Sequence, residues 1–235
     1  MFVLGVDTAT DFAVVGVSAD GEVIREVSIG PGPDGRPRHS QALLTEIEAS
    51  VEAAGGWPQI GRIAVGIGPG SFTGLRIGIA TARALAQARE VPLAPVGSLT
   101  ALARGISEGL GPEGPLALPV FDARRTEAFA ALFEDLREVW PAFVASPEEL
   151  SARVRELEGT ALAAGDGALR FAAELEAAGA TVAPPEDPIH RVAARHVCKV
   201  GEVAAEAPTD QIQPLYLRPP DAKRWRERDR GVPRG

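Results

Sequence analysis

The sequence predicts an α/β protein whose two halves are built on one plan. Short apolar runs typical of buried strands alternate with alanine- and leucine-rich segments of helical periodicity. Residues 7–15 and 122–130 share one pattern, in which a strand ends at an aspartate, a polar turn follows and a second strand begins. With 235 residues, 45% of them hydrophobic, the chain can bury a substantial core. We expect an N-terminal lobe over residues 1–108, a C-terminal lobe over 109–222 and a disordered basic tail over 223–235.

The first half is predicted to open with three strands, at residues 3–6, 12–18 and 23–29. Asp20-Gly21 between the last two is a strong hairpin turn signal. A glycine- and proline-rich loop follows at residues 30–37, and then a helix at 40–54 with Ser40 as its cap. The other elements expected in this half are a strand at 63–67, a helix at 75–89, a strand at 91–96 and a helix at 98–106.

The second half follows a glycine- and proline-rich boundary at residues 109–115. Strands are predicted at 116–121 and 127–133, and residues 146–205 are predicted to be mainly helical. Ser146 begins that region with a capping hydroxyl, and proline and two glutamates follow in the first turn. Residues 212–217 are predicted to be extended.

Composition excludes several classes of protein. A formal net charge of −8 makes the chain a poor binder of nucleic acid on its own, because phosphate binding depends on Lys and Arg. No run of about 18 apolar residues predicts a membrane span, and the N-terminus does not look like a secretory signal, so we expect a cytoplasmic protein. The single cysteine, Cys198, is typical of a small core hydrophobe. His39, His190 and His196 lack partners at metal-binding spacing, so no metal site is predicted.

A glycine-rich loop at residues 68–74 connects a predicted strand to a predicted helix. Backbone N–H groups and the helix dipole can bind an anion at such a point. The candidate phosphate or nucleotide residues are Gly68, Gly70, Ser71, Thr73 and Gly74. The spacing G-x-G-x-x-x-G differs from the dinucleotide motif, and no G-K-[ST] follows, so any such site is degenerate. The alternative is a tight turn in which glycine permits close backbone packing.

Asp7 and Asp122 each end a predicted strand. An aspartate in this position can hold a hydrated divalent ion beside the phosphates of a nucleotide. Two such residues from two lobes would face each other across a cleft. The alternative is that each carboxylate caps its own polar turn.

The two apolar helices at 40–54 and 75–89 either cover the sheet alone or also present a face to a partner chain. Arg76 and Arg83 lie seven residues apart and share a helix face. The candidate partner-interface residues are Leu43, Leu44, Ile47, Leu75, Arg76, Ile79 and Arg83.

Five segments resemble one known family. They are VLGVDTAT at 3–10, HSQALL at 39–44, the glycine loop and helix at 66–86, DAR at 122–124 and PLYLR at 214–218. They are similar to TsaB proteins, the dimerization subunits of the bacterial machinery that makes tRNA threonylcarbamoyladenosine. The resemblance covers nearly the whole chain and is strongest over residues 1–130. Its most specific motif is GPGSFTGLRIG at 68–78.

The resemblance implies a two-lobed fold of the actin, Hsp70 and sugar-kinase (ASKHA) superfamily, with a duplicated mixed-sheet core. It implies a chain that is not catalytic alone and that acts within a tRNA threonylcarbamoyltransferase complex. The implied partners are a TsaD-like catalytic subunit and a TsaE-like ATPase, with a homodimer as an alternative assembly. The chain would have no cofactor of its own, since ATP, Mg and metal belong to the partner subunits. It would reach tRNA only through the complex and would not bind membranes.

Four hypotheses for the function remain open at this point. The leading one is a scaffold subunit. The second is an independent nucleotide-binding phosphotransferase or ATPase, suggested by Asp7 and the glycine loop but lacking a lysine at the phosphates. A metalloprotease rests only on the history of the wider group. Direct tRNA binding would rest on the basic tail, which carries Trp225 among arginines.

Overall fold

Residues 1–108, 110 and 114–218, which the computed structural model describes, form two mixed sheets of five strands each. A short 3₁₀ helix at Trp57–Gln59 precedes the fourth strand of the first half. The elements of this half are β1 (Phe2–Asp7), β2 (Ala13–Ala19), β3 (Glu22–Ile29), α1 (His39–Ala53), β4 (Ile60–Gly68), α2 (Phe72–Arg89), β5 (Leu93–Gly97) and α3 (Ser98–Glu108).

The second half contains the other sheet and more of the helices. Its elements are β6 (Leu116–Arg124), β7 (Glu127–Glu134), β8 (Arg137–Ala145), α4 (Pro147–Arg155), β9 (Ala161–Ala164), α5 (Asp166–Arg170), α6 (Ala172–Ala177), β10 (Thr181–Val182), a 3₁₀ helix at Pro188–His190 and α7 (Ala194–Val203). The predicted tail at 223–235 and most of the 109–115 boundary lie outside the described residues.

The two sheets have the same topology, which confirms the duplicated plan. The strand order is β3-β2-β1-β4-β5 in the first and, read in the same sense, β8-β7-β6-β9-β10 in the second. In each, a meander of antiparallel strands is extended by two parallel strands. Asp7 and Asp122 therefore occupy equivalent places, on β1 and β6.

Helices and sheets alternate in layers. α1 and α2 cover the outer face of the first sheet, and α4 and α6 lie with α5 against the second. α3 and α7 fill the space between the sheets, so that one apolar core is shared by both halves. α7 lies very close to the first sheet, because a Cβ on Gly201 would stand 2.2 Å from the Cβ of Ala64. Residues 194–203 thus return to the first sheet although they follow the second in sequence.

Several local predictions are confirmed and others are wrong. Asp20 and Gly21 both have positive φ, as the predicted hairpin turn requires. α1 begins at His39 with Arg38 as its N-cap, so Ser40 is not the cap. The region 146–205 is not simply helical, because β9 and β10 lie within it. β8 was not predicted, since charged residues begin it and Pro141 interrupts its pattern.

No helix in the part of the chain that the structure describes is long and apolar enough to cross a membrane.

Candidate functional site

The glycine loop brings the start of α2 against the end of β1. A Cβ on Gly70 would stand 2.2 Å from the carbonyl oxygen of Ala9, and one on Gly74 would stand 2.1 Å from that of Thr8. Both distances are far below van der Waals contact, so only glycine allows this approach. The geometry supports the interpretation of the loop as a closely packed turn.

Backbone N–H groups of the loop are already hydrogen-bonded within the protein. The Gly68 N–H donates to the hydroxyl of Ser98 at 3.1 Å, and the Ser71 N–H donates to the carbonyl of Ala9 at 2.6 Å. The hydroxyl of Ser71 caps α2 by accepting the N–H of Gly74 at 3.3 Å. These three donors are therefore not available to a phosphate.

Asp7 is a buried structural residue. Its carboxylate accepts hydrogen bonds from the Ser98 hydroxyl at 2.5 Å and from the Ala9 N–H at 2.7 Å. A Cβ on Gly66 would stand 1.9 Å from Asp7 Oδ2, so β4 encloses this side chain as well. Burial raises the pKa of the Asp7 carboxyl, although these two hydrogen bonds oppose the rise. Asp7 thus caps its own turn, as one of the two interpretations predicted.

Asp122, unlike the enclosed Asp7, lines a cleft of about 530 Å³ between the two halves. Gly70, Ser71 and Thr73 also line this cleft, whereas Asp7 does not. The expectation that Asp7 and Asp122 face each other is therefore wrong. It fails because the chain folds the Asp7 carboxylate inward against Ser98.

Arginines neutralise Asp122 and join the two sides of the cleft. Arg170 Nη1 lies 2.7 and 2.8 Å from the two carboxylate oxygens of Asp122, and Arg124 Nη1 lies 3.3 Å from one of them. Arg124 also reaches across the cleft, where its Nη2 lies 3.1 Å from both carboxylate oxygens of Asp11. Burial opposes the charge of Arg124, but the hydrogen bond and charge of Asp11 outweigh it and raise the pKa of Arg124.

The turn that presents Arg124 is conformationally unusual. Arg124, Arg125 and Thr126 have φ values of 63°, 52° and 60°, a left-handed conformation that costs energy in residues other than glycine. Beneath the turn, Asp166 accepts the N–H of Asp122 at 3.1 Å. Burial raises the pKa of Asp166 despite that hydrogen bond. Asp166 carries no recognisable signal in the sequence, because the strand before it, Ala161–Ala164, has a composition that favours helix.

The candidate partner-interface residues divide into buried and exposed ones. Four of them belong to the core between α1, α2 and the first sheet, and so cannot touch a partner in the folded protein: Leu43, Ile47, Leu75 and Ile79. Their i, i+4 spacing forms the inward stripe of each helix. Leu44 is 55% exposed, Arg76 is exposed and Arg83 is half-buried, so these three remain candidates.

The outward side of α2 carries three exposed alanines, at positions 80, 84 and 88, beside larger aromatic and polar residues. We define the α2 face as the exposed residues at four-residue intervals along it, which are Phe72, Arg76, Ala80, Ala84 and Ala88. At 1.5 Å per residue this face is about 24 Å long. Small side chains permit another helix to approach closely, and α1 exposes Leu44 on the neighbouring helix.

The side chains of His190, His196 and Cys198 are buried and make contacts inside the protein. His190 Nε2 lies 3.0 Å from the carbonyl oxygen of Ala183, and His196 Nε2 lies 2.9 Å from the carboxylate of Glu108. Cys198 is buried, and burial raises its thiol pKa to about 12, which confirms it as a core hydrophobe. Among the residues that the structure describes, no three or more His, Cys, Asp or Glu side chains are grouped to hold a metal ion.

Comparison with known proteins identifies relatives over most of the chain. A family model described as TsaD, tRNA N6-adenosine threonylcarbamoyltransferase, matches residues 34–214. The tRNA threonylcarbamoyladenosine biosynthesis protein TsaB of Escherichia coli is 32% identical over 173 residues, which cover 71% of this chain and 72% of that protein. The structure of YeaZ from Pseudomonas aeruginosa matches 92% of this chain and 99% of its own, with 22% identity and a TM-score of 0.73. A ROK hexokinase from Thermus thermophilus, 13% identical, matches 86% of this chain and 99% of its own with a TM-score of 0.53. The predicted two-lobed ASKHA-type fold is thereby confirmed.

Proposed function

Because the chain belongs to the TsaB family, we propose that it is a non-catalytic scaffold or dimerization subunit in tRNA N6-threonylcarbamoyladenosine biosynthesis. Its partner would be a TsaD-like catalytic subunit, joined by a TsaE-like ATPase. The observation that carries this proposal is the α2 face, a long exposed surface of one phenylalanine, one arginine and three alanines on a well-packed helix.

The cleft supports a non-catalytic role. Asp7 is enclosed by protein atoms and hydrogen-bonded by Ser98, so it is badly placed to hold a hydrated magnesium ion. In the cleft itself, Arg124 is already paired with Asp11 and Asp122, so it is not free to hold a phosphate. On this proposal ATP, magnesium and any metal act on the partner subunits, and this chain needs no cofactor of its own. It meets tRNA through the complex, in the cytoplasm.

The α2 face can be tested by placing a charge on it. Ala84→Glu introduces a carboxylate in the middle of the face, and Ala152→Glu makes the same change on the exposed side of α4. A buried unpaired carboxylate costs several kcal/mol, so Ala84→Glu should weaken partner binding ~100-fold or more. Ala152→Glu should not change it.

The measurement is light scattering after size exclusion, on this chain alone and mixed with the TsaD-like subunit of its own organism. We expect a stable mixed species that Ala84→Glu abolishes while its thermal unfolding stays close to that of the unmodified chain. If the chain alone forms a homodimer, the same substitution should produce the monomer. Absence of a mixed species, even with the TsaE-like ATPase and ATP added, would contradict the scaffold proposal.

The second candidate function is an independent nucleotide-binding phosphotransferase or ATPase. It is favoured by one observation, the cleft between the lobes, where Thr73 and Ser71 at the start of α2 line a volume large enough for a small ligand. Isothermal titration of the isolated chain with Mg-ATP tests it. Sub-millimolar binding would favour this candidate, whereas the scaffold proposal expects no measurable heat of binding.

A further inference from the structure

Residues 207–218 run along the molecule after α7 and connect its two halves. We call this segment the strap. At its start the Ala207 N–H donates to the Leu93 carbonyl at 3.1 Å, on the edge strand β5. Ile212 is 2% exposed and belongs to the core beneath α1 and α2, while Leu217 packs against the core shared by the two sheets. The strap is therefore attached to both hydrophobic cores, although it contains no helix or strand.

Tyr216 of the strap packs against the first two residues of the α2 face, Phe72 and Arg76. The ring of Tyr216 lies 5.2 Å from that of Phe72, centre to centre, and its hydroxyl accepts a hydrogen bond from Arg76 Nε at 3.2 Å. The guanidinium of Arg76 in turn lies 3.8 Å from the centre of the Phe72 ring. Phe72 is 37% exposed and Tyr216 is 40% exposed, so a partner on this face would touch both.

Arg218, at the end of the strap, lines the cleft. Arg218 Nη2 donates to the carbonyl of Ala123 at 2.8 Å, and Arg218 Nη1 forms an ion pair with Glu127. These two contacts lie on either side of the left-handed turn that presents Arg124. Arg124 is the residue that reaches across the cleft to Asp11. Arg218 thus anchors the strap beside the contact that joins the two lobes.

From these contacts we propose that the strap couples the α2 face to the interlobe cleft, so that partner binding at α2 and anchoring of Arg218 in the cleft stabilise each other. Tyr216 and Arg218 are separated by one residue. Just before them, the Leu215 N–H attaches the strap to β4 by donating to the Ile67 carbonyl at 2.7 Å. Release of either end would therefore disturb the other. The proposal rests on the proposed function, because it assumes that the α2 face is where the partner binds.

The Leu215 amide is a local reporter of whether the strap is docked, because its hydrogen exchange requires the bond to Ile67 to open. Arg218→Gln and Glu127→Gln each remove the ion pair at the cleft end, and neither residue belongs to the α2 face. Arg137→Gln is the matched control, since it removes another Arg–Glu ion pair, with Glu134 at the β7–β8 turn.

The experiment measures exchange at Leu215 in the free chain and affinity for the TsaD-like subunit. Both cleft variants should speed exchange at Leu215 and weaken partner binding, each ~5-fold or more, while Arg137→Gln changes neither. Adding the partner to the unmodified chain should slow exchange at Leu215. Unchanged partner affinity in both cleft variants overturns the coupling, whatever the exchange shows. If the unmodified chain does not bind the partner at all, the proposed function fails instead, and that result is seen before any variant is made.

Discussion

Replacing Gly78 by alanine tests whether the glycines of the 68–78 motif exist for packing. A Cβ on Gly78 would stand 2.2 Å from Thr8 Oγ1, the hydroxyl that donates to the Gly74 carbonyl at 2.8 Å. Contact between carbon and oxygen needs about 1 Å more, so the hydroxyl must move. Such overpacking costs about 1–3 kcal/mol. Loss of the hydrogen bond destabilises the fold by about 1 kcal/mol more, and the better helix propensity of alanine stabilises it by about 1 kcal/mol, so these two effects cancel. We expect Gly78→Ala to lower the free energy of unfolding by about 1–3 kcal/mol.

Urea unfolding followed by circular dichroism measures this change. Thr8→Ala removes the obstructing hydroxyl, so the double variant should lose about 1 kcal/mol less than the sum of the two single variants. Gly61→Ala is the control, because its Cβ would come close only to the flexible side chain of Met1, at 2.8 Å, while the Phe2 carbonyl oxygen would stand at 3.6 Å, an ordinary van der Waals distance. It should change stability by less than about 0.5 kcal/mol. If Gly78→Ala is as stable as the unmodified chain, or the two changes are additive, the packing explanation of the motif is wrong.

Three ionisable side chains give further expectations. Burial raises the pKa of Asp7 above its ordinary 3.8, so the stability that it contributes is present at low pH and is lost as pH rises through the folded-state pKa. Asp7→Asn should remove that decline in thermal unfolding as pH rises above 3.8. The pKa of Glu108 is shifted in the opposite direction. Burial opposes the charge of this side chain, but hydrogen bonds from Lys199 and His196 lower its pKa to about 2. Its contribution to stability is therefore lost as pH falls below 4.5 toward 2, and Glu108→Gln should remove that loss. Arg124→Gln should cost less than about 1 kcal/mol in urea unfolding, because its cross-cleft ion pair is exposed, and a larger loss would show that this pair holds the lobes together.

The repeat and the hairpin turn could be predicted because they depend on neighbouring residues. The aspartate of each half lies at or near the carboxyl end of its strand, and Asp20-Gly21 has a strong local preference for its turn. β9 could not be recognised, because its sequence ALAA favours helix and only pairing with β6 and β10 makes it a strand. Local preference was overruled there by tertiary contacts.

The candidate site was harder to predict because its contacts join distant residues. Asp7 is buried by Ser98, 91 residues away, and Arg124 pairs with Asp11, 113 residues away. Neither pairing leaves a pattern in a single sequence. The inward position of Leu43 and Ile79 was open to prediction, since each lies on an apolar stripe at helical spacing, and such a stripe normally covers the sheet.

The return of α7 to the first sheet has a consequence for synthesis of the chain. The inner face of β1, β2 and β4 is covered by residues 194–203, so the first half cannot complete its core while the ribosome is still translating the second. During that interval an apolar sheet surface is exposed, and such surfaces bind chaperones or aggregate. The contacts that close it, such as that between Gly5 and Cys198, span almost the whole sequence. Folding is therefore expected to be slow and largely post-translational, with the last helix completing the half that was made first.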